Sequence, residues 1–73
     1  MPLSFAEKVK IIMGRRNMSY VDLAAKMGTT RQNVSNKMGK GNFSEMDMRK
    51  IADLLDCDYE GPTLRMRDTG EEI

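Results

Sequence analysis

An all-α bundle of four short helices with a short C-terminal β-strand is the fold this sequence predicts, on three observations. Serine recurs with an acid three residues later, at Ser4/Glu7, Ser19/Asp22 and Ser44/Asp47. At that spacing each side chain accepts the other residue's free N–H at a helix start. Apolar residues follow each serine at helical rather than alternating intervals. Eight methionines supply much of the core volume in a chain with no tryptophan and 5% aromatics, and such soft fillers suit packed helices better than a β-sandwich. At 73 residues the chain is one domain whose apolar core is only just sufficient.

The first helix opens at Ser4 and buries Phe5, Val9, Ile12 and Met13. It runs to about Arg16, where basic residues suit the negative end of the helix dipole, and Asn17 is a left-handed exit. The second, capped by Ser19, turns Leu23, Ala24 and Met27 inward and stops at Gly28, which takes positive φ at no steric cost. Thr30 caps the third helix within the stretch Thr29–Met38, so about three residues join two short helices, a helix-turn-helix pattern. Gly39 to Asn42 reads as a loop. Ser44 starts the fourth helix, which carries Met48, Ile51, Ala52, Leu54 and Leu55 to about Cys57. Gly61-Pro62 breaks that pattern, and Thr63 to Arg67 alternates polar with apolar as a strand does. Residues 1–58 are thus expected to form the helical domain and 59–73 an acidic tail with one strand, frayed after Gly70.

Histidine is absent and Cys57 is the one cysteine. Cys/His metal sites and histidine acid–base catalysis are therefore excluded, and no other catalytic constellation stands out, so the chain does not read as an enzyme. No catalytic residue, cofactor or small-molecule site is expected. A lone cysteine, no apolar run of membrane-spanning length and no signal peptide together predict a cytoplasmic protein without a membrane partner.

The net charge of +1 conceals an uneven distribution. Residues 23–44 hold Lys26, Arg31, Lys37 and Lys40 with no acid, while residues 45–73 hold four bases against nine acids. Such a charge dipole draws a polyanion to one face. In the third helix Val34 and Met38, four apart, form a narrow anchor, and the rest is cationic or amide-bearing. Arginine can grip guanine O6/N7 in bidentate fashion, and glutamine and asparagine can do the same to adenine N6/N7. A solvated surface helix is the plain alternative, and the charge pattern together with the preceding helix and turn favours double-stranded DNA.

Tyr20 to Met38, YVDLAAKMGTTRQNVSNKM, resembles the helix-turn-helix of Cro and the lambdoid phage repressors, the XRE-like family. Ala24 matches that family's small residue on the second helix, Gly28 its turn glycine and Val34 its β-branched anchor, and the likeness extends from Ser4 to about Asp56. The resemblance implies a lambda-repressor-like bundle and a sequence-specific transcriptional regulator. Its implied action is repression, as on phages and mobile elements, by a homodimer on a palindromic operator. It implies base contacts by Arg31, Gln32 and Asn36. Phosphate contacts would come from Thr30, Asn33, Lys37, Lys40 and Asn42, with Tyr20 standing where the family usually has glutamine. A protein–protein or antitoxin-like module that keeps the shape with little DNA affinity remains the alternative. Many members pair Arg with Glu between the first and third helices, where this chain has Met13 and Met38. The usual fifth helix is replaced by the tail. A lone strand needs a partner for its backbone groups. The expectation is therefore that strand 63–67 pairs with its copy in a second molecule, making Leu64 and Met66 the dimer contact, with Pro62 tolerated at its start.

Overall fold

The computed structural model describes residues 3–61 and 63–73, as four helices followed by a two-stranded antiparallel hairpin. The helices are α1 (Phe5–Arg15), α2 (Tyr20–Met27), α3 (Arg31–Lys40) and α4 (Glu45–Leu54). The strands are β1 (Cys57–Glu60) and β2 (Thr63–Met66). None of the helices is long and apolar enough to cross a membrane.

All three capping boxes form. Ser4, Ser19 and Ser44 accept from the N–H groups of Glu7, Asp22 and Asp47, and each acid accepts in return from the N–H of its serine. Caps of this kind contribute about 0.5–2 kcal/mol each, a large share for helices of 8 to 11 residues. Asn17 leaves α1 with φ 54° and Gly28 ends α2 with φ 70°, both left-handed as the sequence predicts. Two boundaries differ: α4 ends at Leu54 rather than near Cys57, which opens the first strand, and α3 continues through Gly39 to Lys40 and ends at Gly41, whose φ is 65°. Gly39 is thus a helical residue rather than the start of a loop. Helix propensity is a weak prior, and the Val34–Met38 anchor carries the last turn past a glycine that costs about 1 kcal/mol.

Val9, Ile12 and Met13 of α1 meet Leu23 and Ala24 of α2, Val34 and Met38 of α3, and Ile51 and Ala52 of α4 in one buried cluster. Phe5 is only half-buried and instead packs edge-on against Phe43, ring centroids 5.1 Å apart, and against Tyr59.

The hairpin overturns the expected strand pairing. β2 has its partner in the same chain, with Cys57 opposite Met66 and Tyr59 opposite Leu64. Its other edge is occupied too. Leu64 and Ile73 exchange both N–H···O bonds, at 3.2 and 2.9 Å, and Met66 N–H donates to the Glu71 carbonyl at 2.8 Å. Residues 71–73 are therefore bound along β2 rather than frayed. With both edges filled, β2 has no backbone groups to offer a second molecule. Leu64 is 0% exposed and Met66 3%, so both belong to the monomer's core and neither is placed as a dimer contact. The boundary expected at 58/59 falls inside β1, and Pro62 lies outside the described residues.

Arg16 fastens this hairpin to the helices. Its Nε donates to the Leu55 carbonyl at 2.9 Å, at the C-cap of α4, and its Nη2 to the Asp56 carbonyl at 3.2 Å, which also accepts from the Arg67 N–H at 3.0 Å. The same guanidinium forks onto both oxygens of Asp68, at 2.7 and 2.9 Å. That hydrogen-bonded pair lowers the Asp68 carboxyl from 3.8 to about 2. A depressed folded pKa means the contribution to stability is complete above about pH 4 and is lost as pH falls through about 2. Urea midpoints measured from pH 5 to pH 2 are expected to fall less steeply for Asp68→Asn than for the parent chain. Identical profiles would remove Asp68 as a source of the acid sensitivity.

Candidate nucleic-acid interface

The site is built on the turn between α2 and α3. Gly28 and Thr29 both return to the end of α2, Thr29 N–H reaching the Ala24 carbonyl at 3.0 Å, so the chain reverses within three residues. Thr30 accepts from the Asn33 N–H at 3.2 Å and starts α3. Ala24, 3% exposed, has no side chain beyond Cβ to hold the helices apart. Val34 and Met38, 3% and 5% exposed, pin α3 down by one narrow edge.

Everything opposite that edge faces outward. Gln32 and Asn36 are exposed and lie one helical turn apart, with the Gln32 side-chain amide Nε2 donating to Asn36 Oδ1 at 3.2 Å. Two amides linked this way present their remaining donors and acceptors from a shared, partly ordered platform. Arg31 is exposed at the first residue of α3. The three residues expected to read bases are thus all exposed, Arg31 at the start of α3 and Gln32 and Asn36 on the side away from Val34 and Met38.

The expected phosphate ligands are distributed less evenly. Asn33, Lys37, Lys40 and Asn42 line a single groove of about 510 Å³ beside α3, together with Asp47 and Lys50 of α4. Within it Asn33 donates to the Thr29 hydroxyl at 2.9 Å, and Lys37 is bonded to Asp47 at 3.0 Å. The Lys37 ammonium, with the Ser44 N–H, holds the Asp47 carboxyl below its ordinary pKa. Thr30 is exposed beside Arg31. Tyr20, the first residue of α2, packs half-buried against the core and does not line the groove. Lys50 is the groove residue that the linear sequence did not single out. On α4 it follows Asp47 by three and so shares its side of the helix, but only the packing of α4 on α3 brings it to this surface.

Ion pairing sharpens the charge dipole. Arg15 and Arg16 pair with Glu71 and Asp68; Arg65 pairs with Glu60 and Glu72; Arg67 reaches Asp53, Asp56 and Asp58. The arginines of α1 and the hairpin are therefore spent on the acidic segment. Among the described residues Arg31, Lys40 and Lys50 make no ion pair. Unpaired positive charge remains where an anion can approach α3.

Residues 8–60 match the family model described as Cro/C1-type HTH DNA-binding domain. Neither the curated proteins nor the solved structures yield a match. The matched span covers all of α2, α3 and α4, and most of α1.

Proposed function

The chain belongs to the Cro/C1-type helix-turn-helix DNA-binding family, and from that premise we propose a sequence-specific regulator of transcription that represses by occupying operator DNA as a dimer. Membership supports DNA binding in general. The finer reading rests on one observation: Gln32 and Asn36 stand exposed opposite the buried Val34–Met38 edge, with Arg31 exposed at the first position of the helix. A helix fixed by so narrow a seam can enter the major groove to the depth at which side chains reach base edges. Gln32 and Asn36 suit adenine, and Arg31 suits guanine. Thr30, Lys40 and Asn42 suit the flanking phosphates, which set register without reading sequence.

Repression then needs no cofactor: a bound dimer on a palindromic operator blocks the polymerase by its presence. Dimerisation on the DNA itself is compatible with a hairpin that is closed within each monomer, since two half-sites one helical turn apart bring two copies together.

Selection of bound sequences from random duplex DNA tests this reading. A palindromic consensus whose affinity falls steeply with salt is the expected result, because neutralised phosphates release counterions. Arg31→Ala, Gln32→Ala and Asn36→Ala are each expected to lose about 1–3 kcal/mol of discrimination at one base position. If Arg31→Ala left both preference and affinity unchanged, α3 would not be the reading element. Absence of any duplex binding at low salt would favour a protein-binding or antitoxin-like module instead.

A further inference from the structure

Lys50 belongs to α4 and has no place in the reading of bases by α3, yet it lines the same groove as Lys40, Asn42 and Asn33. The groove holds three lysines and one carboxylate. Asp47 is already engaged, bonded to Lys37 Nζ at 3.0 Å and to the Ser44 N–H at 3.3 Å. Lys37 is thereby neutralised and ties α3 to α4 across the groove. Lys40 and Lys50 are left there as two exposed ammonium groups, one from each helix, with no carboxylate partner among the described residues.

Two like charges lining one hollow repel each other, and an anion between them removes that cost. A phosphodiester is the fitting one, because its single charge is shared by two free oxygens that can accept from two ammonium groups at once. The Asn42 amide, which also lines the groove, adds a neutral donor. Apart from Asp47, the residues lining the groove are uncharged or basic, so no second carboxylate competes for that place. We propose that Lys50, acting with Lys40, holds a backbone phosphate of the bound duplex, which extends the DNA contact from the helix-turn-helix onto α4. This rests on the DNA-binding reading above. A lysine that merely solvates the outer side of α4 would leave the salt dependence unchanged when replaced by alanine.

The test measures duplex affinity of the full chain against salt concentration, on the selected sequence and on an unrelated one. Lys50→Ala is expected to flatten the slope of log K against log salt by about one and to weaken both duplexes by the same factor. Lys50→Arg, which keeps the charge, is expected to restore the parent slope. Lys10→Ala removes an exposed α1 lysine outside the groove and is expected to leave the slope as it was. Parent and variants are compared by thermal melting, so that a loss of fold is not read as a loss of contact. A parent slope retained in a folded Lys50→Ala chain would overturn the phosphate assignment. So would a loss confined to the selected sequence, since phosphates carry no sequence. A parent chain that binds neither duplex would overturn the DNA-binding reading itself, before any variant is compared.

Discussion

Leu64→Ala is expected to destabilise the monomer by about 2–5 kcal/mol, the range for truncating a buried leucine. Leu64 is 0% exposed, lies opposite Tyr59 in the hairpin, and shares the core with Leu55 and Ile51. Its backbone is bonded to Ile73, so the surroundings are held and collapse poorly around the lost atoms. Domains of this kind have only about 5–15 kcal/mol in total, so the variant is expected to sit near its unfolding threshold. The dependence on concentration carries the sharper information. Because β2 is closed within its own chain, the urea midpoint of parent and variant is expected to be the same at about 1 and 100 μM. A midpoint that climbed with concentration would mean that the strand completes itself between molecules. A loss below about 1 kcal/mol would place Leu64 outside the core.

The same hairpin shows where the sequence stopped being legible. Each helix start could be read because a cap is a local device: Ser4, Ser19 and Ser44 need only the residue three positions on. β1 has no such mark. Its sequence is Cys57-Asp58-Tyr59-Glu60, and aspartate and glutamate are disfavoured in strands, so from the sequence the segment divides between the end of the fourth helix and the start of the acidic tail. Its alternation becomes visible only once Cys57 and Tyr59 have a core to turn toward. Asp58 then faces Arg67, and Glu60 faces Arg65, so the acids are held by arginines of the strand alongside and beyond. Alternation does mark β2, and Thr63 to Met66 is a strand that needs a partner. The partner lay six residues upstream, hidden by its charge. The interface divides in the same way. That Gln32 and Asn36 oppose Val34 and Met38 follows from helical spacing alone. That Lys37 is tied to Asp47, and that Lys50 shares its groove, depends on how α3 packs against α4, which no local pattern states.

Met38→Glu is expected to be more damaging than Met38→Ala, which as a core truncation costs about 2–5 kcal/mol. Met38 is 5% exposed and Met13 is 4% exposed, within one apolar cluster. A carboxylate placed there either stays charged without a partner or takes up a proton, and both are unfavourable. Burial raises the folded-state pKa of that new group above the unfolded value, so its penalty grows as pH rises through the unfolded pKa and shrinks in acid. Met38→Glu is therefore expected to lose less relative to the parent at pH 4 than at pH 7. Adding Met13→Arg would recreate the Arg–Glu pair that many members of the family carry between the first and third helices. If the two positions meet, the double variant is expected to recover about 1–3 kcal/mol over the sum of the single changes. Its stability should then also lose the acid-favoured trend, because the carboxylate now gains from its charged form. A fully apolar pair is no weaker a solution than a buried ion pair, which explains how the family's position tolerates two methionines here. The double-mutant cycle, run by urea unfolding at pH 7, decides the matter: strict additivity would show that the side chains of residues 13 and 38 do not touch.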